Sequence, residues 1–204
     1  MNPNNSKEAM LKVADFFDSK KVGNSGPLGF RRSSDLFRLL SGIEGLQQNK
    51  ILGTSCLNFL DLGCGDGRVN ILLSYIADKS IGIELDEWTL DDYRTLKEKL
   101  DKELNKFNLP RPPDNIHLFE GDSLDSGLHD RIFLKTGVAI ENIDLFYTYL
   151  TMHEEIADLI SKRAKSGALF MVYGLEKIMP RYDRLELLNP VEPLEGILAV
   201  YRKP

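Results

Sequence analysis

Cysteine is scarce: the 204 residues hold two, Cys56 and Cys64, which make neither a disulfide framework nor a CxxC metal motif. That usage fits a reducing compartment, and the cytoplasm is the expected location. No apolar run approaches the roughly 18 residues that would span a bilayer, so membrane insertion is not expected. The amino terminus, MNPNNSKEAM, lacks the apolar core of a secretion signal. Positive charge is in deficit: 26 Lys and Arg face 31 Asp and Glu, for a net charge of −5. A duplex-binding module is usually basic, so nucleic acid is not favoured as the main partner, although Arg31-Arg32 and Lys162, Arg163 and Lys165 form local basic patches. There is no GxxxxGK[ST] phosphate loop, no internal repeat and no low-complexity tract. Hydrophobic residues at 42% and charged residues at 28% are enough for a buried core, and the length suits one domain with a short extension.

What is present is a change of period along the chain. Residues 1–50 read as an N-terminal helical arm or lid, and residues 51–204 as the main domain. In the arm, Ser6 is placed to cap a helix with Met10, Leu11, Val13, Ala14 and Phe17 at helical spacing. VGNSGPLGF breaks it, and a second helix is predicted from Ser33-Ser34 with Leu36, Phe37, Leu39, Leu40 and Ile43 on one face. From residue 57 onward, short apolar runs alternate with helical patterns. LNFLDL, SIGIEL, NIHLFEG, NIDLFYTYL and GALFMVYG read as strands; RVNILLSYIAD, Glu87–Phe107, Leu128–Thr136 and Met152–Ala164 read as the helices between them. That alternation predicts a parallel sheet covered on both faces. The last segment, RLELLNPVEPLEGILAVYRKP, reads as two strands about a proline-containing turn, and strands joined so tightly pair antiparallel.

The chemistry-bearing stretch is NFLDLGCGDGRVNILL, residues 58–73. A strand ends in Asp61 and breaks into Gly63, Gly65 and Gly67, with Cys64 as a small filler, before a helix resumes. A glycine turn after the first strand of an α/β sheet is a ligand-contact position. A dinucleotide site needs GxGxxG, but the residue where its third glycine would stand is Arg68. A carboxylate two residues before the loop would repel a pyrophosphate and suits a ligand with a cationic end. A merely tight turn is the alternative.

At these residues the sequence resembles the class I S-adenosylmethionine-dependent methyltransferases, whose first motif is hydrophobic-(D/E)-x-G-x-G-x-G. The resemblance covers residues 57–204. It implies a Rossmann-like α/β fold: a seven-strand, mostly parallel sheet with helices on both faces, an antiparallel C-terminal hairpin and, here, an N-terminal helical arm. It implies S-adenosyl-L-methionine as cofactor, with Asp61, Gly63, Cys64, Gly65 and Gly67 around its amino-acid tail. Glu84, with Leu85 beside it, takes the place where the second strand holds the ribose hydroxyls. Asp122 and Ser123 match the acid and small residue that contact the adenine amino group; a helix cap is the competing reading.

The acceptor is read from the end of the fourth strand. The (D/N)-P-P-(Y/F) signature of many base and glutamine amino-methylases is replaced by Phe146-Tyr147-Thr148-Tyr149. The stretch DLFYTYLTMHEEIADLISKRAKSGALFMVYG is similar to compact protein-lysine methyltransferases that act on ATP synthase c subunit and the adenine nucleotide translocase. Tyr149-Leu150 and Ser166-Gly167 take the places of that group's "YL" step and turn, while Thr151-Met152 stand where it commonly has a proline. The likeness implies a methyl-acceptor substrate that is a protein amine; a small molecule or RNA on the same fold, or cofactor binding without transfer, stay open. Tyr147 and Tyr149 are the expected catalytic pocket residues, because an aromatic slot desolvates an incoming amine, and the resemblance implies that Tyr147 also contacts the cofactor; sheet packing is the alternative for both. Phe30 and Arg31 of the arm are candidate cofactor contacts. His117, inside a predicted strand, reads as packing, and His153 reads as a surface residue ahead of a base.

Overall fold

The computed structural model describes residues 3–20, 24–26, 29–31, 33–53, 57–150, 152–175, 179–188 and 198–204. Helix α1 (Pro3–Asp18) begins three residues before Ser6, with proline in the first turn, where its missing N–H costs nothing. Strands β1 (Asn24–Gly26) and β2 (Gly29–Arg31) form a small antiparallel ladder. Helix α2 (Leu36–Gln48) starts later than the serines suggested, because Asp35 caps it by accepting from Arg38 N. The side chain of Asp18, at the end of α1, accepts from Leu36 N and Phe37 N at 3.0 Å each, so the two helices share one carboxylate clamp. Phe37, assigned to the apolar face, is 45% exposed, while Leu36, Leu39, Leu40, Ile43 and Leu46 are buried.

The main sheet is built from β3 (Leu57–Leu62), β4 (Ala77–Glu84), β5 (Ile116–Glu120), β6 (Leu145–Tyr149), β7 (Leu169–Tyr173), β8 (Glu186–Leu187) and β9 (Leu198–Arg202). Its order is β5-β4-β3-β6-β7-β9-β8, parallel through β7 and antiparallel for the last two pairings. This is the expected seven-strand arrangement with its antiparallel C-terminal end. The turn expected between the final strands lies in residues 189–197, outside the described residues. Helices α3 (Arg68–Leu73), α4 (Glu87–Lys106), α5 (Ser126–Thr136) and α6 (His153–Arg163) connect the parallel strands. Among the described residues no helix is long and apolar enough to cross a membrane.

A further boundary differs from the sequence reading. The helical pattern was expected to run to Asp78, but α3 stops at Leu73 and β4 begins at Ala77. Pairing decides this: Leu57 stands opposite Ala77 and Asn58 opposite Lys79, and the Asn115 side-chain amide donates to Ser74 O and Ala77 O. Ladder partners and a side-chain clamp outweigh a weak helical preference.

Alternation sorts the strands onto two cores. On one face Leu57, Phe59, Leu145, Tyr147, Leu169 and Met171 pack with α1, α2 and α3 and with Leu100 and Leu104 of α4. On the other, Leu60, Leu62, Phe146, Phe170 and Val172 pack with α5 and α6. The arm's Ala9, Val13, Ala14 and Phe17 are 0% exposed, so the arm belongs to the first core. Each large side chain buried this way contributes about 1.5–3 kcal/mol of transfer free energy.

Candidate active site

The helices after β3 and β4 lie on the first face, whereas the helix after β6 lies on the second. The connection therefore reverses between β3 and β6, which are neighbours in the sheet. In an open α/β sheet this is the position where the chain ends splay apart and leave a ligand crevice beyond the strand ends.

The first wall of that crevice is the glycine turn. Gly63, Gly65 and Gly67 adopt φ of +92°, +56° and +73°, a region costly for residues with a Cβ. The three do different work. A Cβ at Gly63 or Gly65 would meet nothing within 4 Å, so those two face open space. A Cβ at Gly67 would fall 2.8 Å from Tyr93 Cδ2 and 3.1 Å from Leu118 Cδ1, so that glycine is needed for packing as well. Gly82, in the middle of β4, is a third kind: its Cβ would sit 2.6 Å from Asn70 Oδ1 and 2.9 Å from Cys64 Cβ. The turn rests directly on β4 there, and Gly63 N and Cys64 N both donate to Ile83 O.

Below the turn, Asp61 is 1% exposed and neither carboxylate oxygen has a hydrogen-bond partner among the described residues. Burial, then the neighbouring charges of Glu84 and Asp66, push its carboxyl well above the usual range. A buried acid without a partner is costly unless a cation or donor is supplied from elsewhere. Glu84, at the end of β4, is also buried; its two oxygens accept from Gly65 N at 2.8 Å and Asp86 N at 3.1 Å. It thus clamps the turn to the next strand. Arg68, the residue that spoiled the dinucleotide pattern, is turned away: its guanidinium pairs with Asp66 at 2.7 Å and lies 5.2 Å from the Phe17 ring of the arm. Cys64 is buried, and burial with the nearby carboxylates raises its thiol well above the normal range, which makes it a filler and not a nucleophile.

Leu85 is 59% exposed at the mouth of β4. Asp122 is exposed and accepts from Leu124 N, forming a turn; the helix cap is Asp125, which accepts from Gly127 N. Ser123 is half-buried, and its carbonyl accepts from His129 Nε2. The structure thus gathers Asp61, the glycines, Glu84, Leu85, Asp122 and Ser123 along the ends of adjacent strands β3, β4 and β5.

The second wall is the end of β6. Tyr147 stands in register with Asp61 on the same face, but it is buried and its phenol is hydrogen-bonded to Ser34 Oγ. Burial raises that phenol's pKa, and the Ser34 bond opposes the rise. The hydroxyl expected at the pocket wall is therefore used to seat the arm. Tyr173 on β7 does the same, accepting from Asp35 N at 3.2 Å. Tyr149, one strand step outward, is half-buried with its ring 5.3 Å from Tyr173. Phe30 and Arg31 lie in β2; their side chains are outside the described residues.

Sequence reasoning missed Ser34, Gly82, Asp66 and Tyr173. Gly82 carried a signal, since a glycine inside a strand marks close approach by another segment. Ser34 and Tyr173 carried none, because their pairing joins residues far apart in the chain.

No protein-family model matches this sequence, and no curated protein matches it. Solved structures do. An RNA methyltransferase from Salinibacter ruber, in complex with S-adenosyl-L-homocysteine, shares 16% identity over 84% of this chain and 92% of its own, with a TM-score of 0.51. A variant of MtNAS shares 12% identity over 97% of this chain and 70% of its own, with a TM-score of 0.52. The chain spans 61% of the length of precorrin-6y C5,15-methyltransferase from Geobacter metallireducens, at 20% identity over 65% of this chain, with a TM-score of 0.44. The first two likenesses establish the fold: a Rossmann-like, seven-strand sheet of the kind found in class I methyltransferases.

Proposed function

We propose that this protein is an S-adenosyl-L-methionine-dependent methyltransferase. The observation that carries the reading is the buried, unpartnered Asp61 carboxylate beneath a turn whose Gly63 and Gly65 face open space, with Glu84 one strand away. A cationic amino-acid tail suits Asp61, a ribose diol suits Glu84, and an adenine amino group suits Asp122. The donor set fits the cofactor better than it fits a phosphate, which two acids would repel. Bound there, the cofactor supplies a methyl group activated by a sulfonium. The chain's own residues then bind, orient and exclude water, which is the larger part of what a direct displacement requires. The comparison with an S-adenosyl-L-homocysteine complex of the same fold supports this.

The acceptor we favour is a protein lysine amine, which an acidic crevice attracts and the half-buried Tyr149 ring helps to desolvate. RNA is the second reading, favoured by the Salinibacter likeness and opposed by the net charge of −5. Calorimetry is expected to show S-adenosyl-L-methionine binding at about micromolar affinity, lost in Gly65→Arg and weakened at least tenfold in Glu84→Ala. If the wild type binds neither the cofactor nor its demethylated product, the reading fails. Tritiated methyl transfer into a lysate, split into protein, RNA and small-molecule fractions, then decides the acceptor; label in RNA alone would overturn the lysine choice.

A further inference from the structure

β6 leaves the sheet beside the glycine turn, where the Thr148 hydroxyl donates to Leu62 O at 2.9 Å. Just beyond it the backbone is strained. Leu150 and Met152 hold φ of +45° and +51°, and a residue with a Cβ loses about 1 kcal/mol or more at each such angle. Strain of this kind persists where surrounding structure overrides it, and it gathers at functional sites. Its result here is that the chain turns at once into α6, whose first residue, His153, follows four positions after the end of β6, the strand beside β3 and its glycine turn. His153 is half-buried, not a free surface residue. Its Nδ1 lies 2.7 Å from the Tyr182 hydroxyl. Tyr182 is fixed in turn by the Tyr201 ring at 4.6 Å and the Phe170 ring at 5.9 Å. One ring nitrogen is thereby committed, and among the described residues nothing hydrogen-bonds to the other.

We propose that His153 is the general base of methyl transfer and that Tyr182 is its positioning residue. This rests on the methyltransferase reading and deepens it: the acceptor is an amine that must shed a proton. Nδ1–H donates to the Tyr182 oxygen, which leaves Nε2 to accept. The amine nitrogen forms a bond to the methyl carbon, the carbon–sulfur pair stays on the sulfur, and the amine proton passes to Nε2 and then to water. The other ionisable groups around the imidazole are Glu154 and Glu155 on α6 and Arg181, Asp183 and Arg184 on the segment packed against it; all five are exposed, so water screens them.

The test is ring-proton NMR of the full chain, with the three histidines assigned through single His→Gln variants. With Nε2 at the reacting centre, His153 titrates about one pH unit lower with S-adenosyl-L-methionine bound than with S-adenosyl-L-homocysteine, because only the former carries a sulfonium at that centre. His117 and His129 stay put. His153→Gln is expected to bind the cofactor as the wild type does while tritium transfer into lysate protein falls about 100-fold. Tyr182→Phe gives a smaller loss and moves the acidic limb of the pH–rate profile. Both ligands binding with an identical His153 titration, or undiminished transfer by His153→Gln, overturns the assignment. A wild type that binds neither ligand brings down the methyltransferase reading and this inference with it, an outcome distinct from binding without a response at His153.

Discussion

The two walls of the crevice reach the same left-handed backbone by opposite means. On the β3 side, three of five residues are glycines, and the conformation is cheap. On the β6 side, the conformation is imposed on leucine and methionine and is expensive. The contrast extends to the side chains. Gly63 and Gly65 offer bare backbone to open space, whereas Leu150 and Met152 stand 40% and 42% exposed and present apolar groups there. A turn without side chains, above the buried carboxylates of Asp61 and Glu84, suits a polar, cationic ligand. A strained wall of apolar side chains beside an imidazole suits the reacting group that arrives next. The difference separates holding from reacting, and it can be tested one wall at a time.

The largest expected effect is at Gly67, where angle and packing act together. Gly67→Val should lower unfolding free energy by about 3 kcal/mol in urea, against about 1–2 kcal/mol for Gly63→Val, which meets open space. Equal losses would break the division of labour within the glycine wall. Next is Asp61→Asn, which should stabilise the unliganded protein by about 1 kcal/mol or more at neutral pH while weakening cofactor binding at least tenfold. The sign follows from protons. The folded carboxyl titrates above the unfolded value of about 3.9, so the native state binds the extra proton and stability falls as pH rises between the two values. Urea unfolding across a pH series should show that fall in the wild type and lose it in Asp61→Asn. A wild-type curve that rises over the same interval would mean that Asp61 has a partner. The smallest effect is at the opposite wall: Met152→Gly should raise stability by about 0.5–1 kcal/mol in thermal unfolding as strain is released, partly offset by a more flexible unfolded chain. A loss there would mean that Met152 packs more than it strains.

The glycine wall was legible in the sequence and the strained wall was not. Glycine announces a left-handed turn, and Asp61 and Glu84 end apolar runs that read as strands by themselves. The break itself was legible, since the strand NIDLFYTYL and the helix from Met152 leave only Thr151 between them, but the left-handed angles at Leu150 and Met152 were not, because neither residue type favours them. The sheet order was legible for a similar reason, since each parallel strand carries its own apolar run. The exception is the start of β4, where Ala77–Lys79 are strand only because Leu57 and Asn58 pair with Ala77 and Lys79. Tyr147 shows the limit most plainly. Its register beside Asp61 follows from alternation, but its hydroxyl goes to Ser34, 113 positions away in sequence, and only tertiary structure makes that contact. Likewise, Ser6 and Ser33-Ser34 are good caps in isolation, yet Pro3 and Asp35 start the helices, the second with help from Asp18 across the gap.

Cys64 gives the turn a chemical clock. Its thiol is buried, with Gly82 packed close against it and acids nearby that suppress the thiolate. An alkylating reagent can reach it only when the turn lifts off β4. In a Cys56→Ser background, the alkylation rate therefore counts those openings, and a ligand that ties Gly65 to Glu84 should slow the count.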